Sequence, residues 1–431
     1  MKNSRQVGDT TPGEISVNTR IMRVYICARS KTGVTMGLDF QQVRQQVTQL
    51  GEQAPLRAEH LKALTERAQT ALVENAQNNQ ILQEKVQEAL RFNRHLRCAL
   101  PGTEPLDAAF ELPPLPREIT VLAADGSQIN PDRHASVDYC LVNVGAIQMR
   151  YGSPAAPETT IRSRLIYEDS EIYTPAGRIT ERLVALRRDL RERQLLAELA
   201  EGQPLPLITL TDGPLELWGG REDDGDGRVY KRYFDDYLQA LKKLRRLGAS
   251  AAGYIDNPRG DLLVRLLEIA LLSPDEIQNA GRQRPLLGIT DASLFRDTLK
   301  VGERSAVFGI QSRTAGQYAD TLALHFFYLN VGRDEERSYP VRVEVPAWVA
   351  ESPVMLDQIH AVLVDQCRVL GTRTYPYLLH RSHEIAVVKR DEKQQVEQMI
   401  ARELQRRGIQ DVAMVSEKQG AKDLQGRTRK K

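Results

Sequence analysis

Cysteine is scarce in this chain, with four residues among 431. Cys27, Cys98, Cys140 and Cys367 lie far apart and form no CxxC pair, which argues against a zinc knuckle and a disulfide framework. Long apolar runs are also missing. None approaches the ~20 residues needed to span a bilayer, and the polar opening MKNSRQVGDTTPGE has no signal-peptide apolar stretch. The expected location is therefore the cytoplasm, without a membrane. No single sign of charge dominates: 59 Lys and Arg stand against 57 Asp and Glu, a formal charge of +2. Such a balance neither predicts nor excludes a polyanionic partner, because clustering decides that. Three phosphate-binding or nucleophile signatures are absent, namely GxxxxGK[ST], GxGxxG after a strand, and GxSxG. Their absence argues against an NTPase, a dinucleotide enzyme and an α/β-hydrolase.

What is present is an ordinary globular composition, 41% hydrophobic and 27% charged. Residues 1–35 show no sustained period and read as a flexible arm or a start placed too early. Residues 36–100 read as a helical appendage, because Leu61, Leu64, Ala68, Leu72, Leu82, Val86 and Leu90 recur at helical spacing over 58–98, in one long helix or two. Such a stripe packs on the main domain or a second subunit, or docks a partner as a coiled coil. The proline-rich segment 101–118 reads as an extended connector, and 119–410 as the main domain with insertions. Residues 411–431 read as a basic tail that is either solvated or in contact with nucleic-acid phosphates.

Within the main domain, strands are expected at 119–124, 138–150 and 161–173, a helix at 179–200, and a strand in LPLITLTDGPLEL. A helix at 229–247, a strand at AAGYID and a helix at 261–272 follow. Three strands, then a helix, strand, helix and strand, is the order of a ribonuclease-H-like domain, an α/β fold with a mixed sheet flanked by helices. Further strands are expected at 306–312, 325–332 and 339–349, and closing helices at 354–369, 376–389 and 392–407.

Two expected strands end on an acid. Asp125 follows EITVLAA and Asp212 follows LPLITLT, each with a glycine behind it. Asp-Gly after an apolar run is also a hairpin-turn signal, so the turn and the functional carboxylate both stand for Asp125. If the two strands are neighbours, the acids emerge at one sheet edge and repel unless a cation lies between them. Oxygen ligands suit Mg²⁺ or Mn²⁺ better than zinc. The intervening helix offers Glu181, Glu192, Glu198 and Glu201; at about 100° per residue, Glu181 and Glu192 share a face and Glu201 is opposite. A late helix brings His380 and His383, each either a satisfied structural histidine or one that closes a carboxylate cluster. DDGDG (223–227) lacks the spacing of a calcium loop. Asp291 reads as a helix cap or a site acid. Asp256, Arg259 and Asp261 read as turn and cap chemistry, with Asp256 alternatively a strand-end acid and Arg259 a phosphate contact.

Taken in order, AADGSQI, LTDGPLEL, AGYIDNPRGDLLVRLLE, GITDASLF, FFYLNVG, EVPAWVA and YPYLLHRSHEIAVV make residues 115–420 resemble NurA-type nucleases. The resemblance implies a ribonuclease-H-like, Mn²⁺-dependent DNA nuclease with 5′-to-3′ polarity and single-strand endonuclease activity. It further implies a homodimer that works on DNA ends with a HerA-type hexameric translocase. Mg²⁺ is an alternative metal, and two ions are expected. The family's acids fall on Asp125 and Asp212, its helical glutamate on Glu192 and its histidine on His383. A catalytically inactive DNA-binding or translocase-docking subunit is the alternative.

Overall fold

The computed structural model describes residues 38–133, 137–217, 226–371 and 373–409. The expected arm (1–35), the basic tail (411–431) and most of DDGDG lie outside the described residues. By its internal contacts the chain divides into residues 1–60 and residues 61–431. Helix α1 (Phe40–Glu74) starts in the first unit, where every described side chain is exposed and Pro55 sits inside the helix. That explains why no apolar period marks its start.

In the second unit, α1 from Leu61 onward and α2 (Asn79–Phe92) contribute Ala68, Ala71, Leu72, Leu82, Val86 and Ala89 to the main apolar core. The expected helix through residue 98 stops at Phe92, and Cys98–Leu100 is instead a strand, β1. A second short strand, β2 (Ala109–Phe110), lies inside the expected connector.

The sheet is built around β3 (Ile119–Ile129), β4 (Cys140–Tyr151) and β5 (Glu158–Ile166), an antiparallel meander. The short helix α3 (Asp169–Ile172) and a small hairpin, β6 (Tyr173–Thr174) with β7 (Gly177–Arg178), follow where the third strand was expected to continue to 173. The acids Asp169 and Glu171 in its first turn favour a helix start there. Helix α4 (Glu181–Leu199) opens on Thr180, whose hydroxyl accepts the Leu183 N–H. It leads to β8 (Leu207–Asp212), which pairs parallel with β3. Helix α5 (Gly227–Arg246) then leads to β9 (Ser250–Ile255), parallel with β8. The resulting order β5-β4-β3-β8-β9 is the ribonuclease-H-like mixed sheet that the element order anticipated.

Beyond β9 the sheet continues through segments that the sequence read as strands without a place. After α6 (Leu262–Leu271) and α7 (Asp291–Phe295) come β10 (Arg304–Ser305), β11 (Phe308–Gln311), β12 (Leu324–Asn330) and β13 (Pro340–Pro346). β13 joins β9 antiparallel and is followed outward by β12, β11 and β1, with β10 bridging β12 and β2. Helices α8 (Ala347–Ala350), α9 (Pro353–Val369), α10 (Tyr377–Ala386) and α11 (Arg390–Arg406) complete the chain.

Strand alternation assigns the two faces of β3. Leu122 and Ala124 share a core with Leu183, Val184 and Leu190 of α4, whereas Val121 and Ala123 share one with Ile359 and Val362 of α9 and Leu378 and Leu379 of α10. A central strand covered on both faces reads as a continuous apolar run, as ITVLAA does. Among the described residues, no helix is long and apolar enough to cross a membrane.

Candidate active site

The last β3–β8 pair is Ala124 with Thr211, yet β3 continues paired to β4 as far as Ile129. The Asp-Gly at 125–126 is therefore no turn: Asp125 pairs with Gly145 and Gly126 with Val144 inside an unbroken ladder. Asp125 sits where β3 outruns its parallel neighbour, and Asp212 is the last residue of that neighbour. The two acids emerge at one edge, as the sequence suggested, by a different local route.

Two helices close on this projecting strand, one per face. On the α4 side Gly126 is the opening. A Cβ there would stand 2.6 Å from both Arg188 Cγ and Glu192 Oε1, so only glycine lets the helix bring these side chains against β3. On the α10 side the match is Gly145, where a Cβ would lie 2.8 Å from the Ala386 nitrogen. The Ala386 carbonyl accepts hydrogen bonds from Ser127 Oγ at 2.5 Å and Asn143 Nδ2 at 2.7 Å, and Ser127 Oγ in turn accepts the Val388 N–H at 3.1 Å. These bonds fix the C-terminal end of α10, and with it His383. His383 Nδ1 lies 2.6 Å from Asp125 Oδ2, while Oδ1 accepts the Gly126 N–H at 2.8 Å. The imidazole is 61% exposed and the carboxylate 14%.

Glu192 is buried, at 6% exposure, and Arg188 stands 3.4 Å from it. Burial holds its carboxyl well above the usual range, and the nearby charges of Asp189 and Asp125 push the same way against Arg188 and Arg193. Asp212 is also raised. Desolvation by its packed surroundings is the largest cause, although the side chain still reaches solvent; Asp125 and Asp256 add to the rise, opposed by a hydrogen bond with Tyr375. Asp189 rises through desolvation, with Asp125 again contributing. Burial is thus the main cause in all three, and Asp125 is a smaller contributor common to Glu192, Asp212 and Asp189.

Arg193 is buried beside Glu192, donates from Nη2 to Thr211 Oγ1 at 2.7 Å and lies over the Tyr237 ring. It ties α4 to the residue before Asp212. After Asp212, Gly213 takes a φ of +89°, and its carbonyl would be 2.5 Å from a Cβ on Gly253. The Leu215 N–H donates to buried Glu344 at 2.8 Å.

Asp125, Glu192, Asp212 and His383 are therefore drawn to one edge, with Asp256, just past the end of β9, near enough to raise Asp212; the other candidates are not. Glu181 shares a helical face with Glu192 but is 11 residues away, roughly 16 Å along the axis, and is exposed. Glu198 pairs with Arg191, Glu201 with Lys243, and His380 turns to Glu384. Asp291 is fully buried and accepts the Leu263 and Val264 N–H groups at 3.1 and 2.9 Å, anchoring the start of α6. Asp256 accepts from Tyr339, Asp261 pairs with Arg284, and Arg259 is exposed. Two residues of the site were missed. Tyr375, stacked edge-on against Tyr254 at 5.5 Å, precedes α10 and had no periodic signal. Asp189 lies one turn before Glu192, but beside Arg188 it resembles an ordinary surface pair.

A divalent ion suits these donors in kind: carboxylates and one imidazole, converging where burial, and the nearby Asp125, raise Glu192 and Asp212. Among the described residues, however, no three His, Cys, Asp or Glu side chains form a ready-made coordination group. Asp125 is engaged by His383, Glu192 by Arg188 and Asp212 by Tyr375.

A sequence-family profile described as the NurA domain matches residues 119–388. Among solved structures, the NurA nuclease from Sulfolobus solfataricus is 13% identical, with 85% of this chain and 97% of that chain covered, at a TM-score of 0.47. A NurA structure with manganese is 12% identical, covering 68% and 91% at a TM-score of 0.33. A type 1 RNase H1 with a type 2 active-site motif is 14% identical, covering 36% and 70% at a TM-score of 0.22. No curated protein matches.

Proposed function

This chain belongs to the NurA domain family through residues 119–388, and from that premise we propose that it hydrolyses DNA phosphodiester bonds with a divalent metal. The observation that carries the reading is the arrangement at the sheet edge. Asp125 and Asp212 lie at that edge on adjacent strands, His383 Nδ1 lies 2.6 Å from Asp125, and burial, with a smaller push from Asp125, raises both Glu192 and Asp212, a combination that marks active sites. Asp125, Glu192 and Asp212 would hold Mn²⁺, or Mg²⁺ in its place, with Asp125 central. Two such ions, when bound, stabilise the attacking and leaving oxygens of a phosphoryl displacement.

The chain's own groups do the remainder. His383, anchored to Asp125 through Nδ1, keeps its other ring nitrogen free of that bond to ligate or to accept a proton from the attacking water. Arg188 pairs with both Glu192 and Asp189, at 3.4 and 2.7 Å, and Tyr375 orients Asp212. The family resemblance supports 5′-to-3′ exonuclease and single-strand endonuclease activity, a homodimer, a cytoplasmic location, and end resection beside a HerA-type translocase.

The test is end-labelled single- and double-stranded DNA with Mn²⁺, Mg²⁺ or EDTA. Wild-type protein cleaves with the metals and not with EDTA, and Asp125→Asn stays folded and loses cleavage. A well-folded Asp125→Asn variant with normal activity overturns the assignment.

A further inference from the structure

Both elements that carry the site continue past it on the same side. β3 runs on from Asp125 to Ile129 and the chain continues to Asp132, while α10 runs from His383 to Ala386 and the chain continues through Val388 into α11, the two held together by the Val388 N–H on Ser127 Oγ at 3.1 Å. Between them lies a cleft of about 850 Å³, whose cations are Arg133, Arg178, Lys389, Arg390 and Lys393. Its acids are Asp132 and Glu181. Subtracting two from five leaves three positive charges in excess, in a chain whose total is +2. Part of this set is engaged within the protein: Arg178 pairs with Asp138 at 2.6 Å and Lys393 with Glu397 at 3.7 Å.

We infer that this cleft is the track on which one strand of a nucleic acid lies as it enters or leaves the Asp125 site; the inference rests on the nuclease reading and adds to it the surface that holds the strand. Position is the first argument. Gln128 is three strand residues beyond Asp125, about 10 Å at the usual rise, or about three stacked nucleotides at 3.4 Å each. Size is the second. A volume of 850 Å³ falls within the roughly 300–1,000 Å³ that encloses a single small ligand, which accommodates a short piece of one strand rather than a duplex.

The lining chemistry gives the third argument. Among the described residues, no aromatic side chain lines the cleft, so it offers cations for phosphates and no ring on which bases stack. Recognition is then independent of sequence. Gln128 adds one neutral contact: its Nε2 donates to Asn130 Oδ1 at 2.6 Å, and its buried Oε1 has no partner among the described residues.

Binding of a fluorescent 20-nucleotide oligo-dT in EDTA, followed across salt concentrations, separates this inference from catalysis. For single strands the slope of log K against log[salt] changes by about 0.7 per phosphate neutralised. The triple variant Lys389→Gln, Arg390→Gln, Lys393→Gln should flatten that slope by about 2 and weaken binding more than tenfold at physiological salt. Lys62→Gln, Arg406→Gln, Arg407→Gln removes the same charge elsewhere and should leave the slope as in wild type. Thermal melting of both variants establishes that they fold.

A wild-type slope in the first variant, or equal flattening in both, overturns the track. Salt-dependent binding that the first variant alone weakens, with no metal-dependent cleavage by wild type, overturns the nuclease reading and leaves the track standing. Cleavage with an unaltered slope does the reverse. Equal affinity of the wild type for a blunt duplex and for oligo-dT also overturns the single-strand assignment.

Discussion

His383 Nδ1 lies 2.6 Å from Asp125 Oδ2, and the two residues are 258 positions apart in the chain. The contact depends on α10 ending against β3 and β4 rather than on local sequence. Because the imidazole is 61% exposed, removing it takes little from the fold. His383→Ala should lower kcat by about 10²-fold, at the lower end of what positioned acid–base groups contribute. Its stability should stay within about 0.5 kcal/mol of wild type. A melting curve beside a single-turnover cleavage assay checks both, and an unaltered kcat would remove His383 from the chemistry.

The anchoring of α10 makes a non-additive prediction. Ser127 and Asn143 both donate to the Ala386 carbonyl, so deleting either leaves that buried acceptor one partner. Ser127→Ala and Asn143→Ala should each cost one bond at the carbonyl and one elsewhere, with Val388 N–H and Ser163 Oγ respectively, whereas the double variant should cost about 1–3 kcal/mol more than their sum for the orphaned carbonyl and release His383 from Asp125. A double-mutant cycle in Tm and kcat measures the coupling; strictly additive losses would mean that the bonds do not share a task.

Much of this arrangement was legible because apolar runs ending in acids are local. TDGPL placed Asp212 at the end of a strand, and the order of strands and helices placed β8 beside β3. The Asp-Gly at 125–126 misled for a physical reason: glycine was read as a turn former, when its use is the absence of a Cβ facing Glu192 and Arg188. That function depends on a helix more than 60 residues away and has no local signature. Tyr375 was invisible for the same reason, since packing alone brings it to Asp212, and Asp189, one helical turn before Glu192, was masked by its pairing with Arg188. The outer strands were visible as apolar segments, but their joining of one sheet was not, because pairing partners are non-local.

Gly126 gives the sharpest test of how Glu192 is placed. Gly126→Ala inserts a methyl 2.6 Å from Glu192 Oε1 and Arg188 Cγ, and overpacking of this kind costs about 1–3 kcal/mol. The carboxylate is the more mobile neighbour and should yield first. Misplacement on the order of 1 Å at a reacting centre can cost about 10²-fold, so metal-dependent cleavage should fall by about that much in a protein that still folds. Calorimetric titration with Mn²⁺ should show weakened binding; metal affinity and kcat equal to wild type would mean that Glu192 is not a ligand.

Two buried groups remote from the site should oppose each other in the acid stability profile. His360 is fully buried with Nε2 2.6 Å from the Gly302 carbonyl, so that nitrogen donates, and desolvation holds its pKa down to about 4 from 6.5. Between those values the unfolded chain binds the extra proton, so the fold loses stability as pH falls from 6.5 towards 4. Asp291 behaves oppositely. Burial raises it to about 6 from 3.8, so the folded state binds the extra proton and stability falls as pH rises from 3.8 to 6. Each shift is worth up to about 3 kcal/mol at 1.36 kcal/mol per unit, and in the wild type the two slopes offset each other. Relative to wild type, His360→Gln should therefore gain stability as pH falls through this window, and Asp291→Asn should gain it as pH rises. Urea unfolding at half-unit pH steps measures both difference curves, and difference curves of the same sign would refute the opposition.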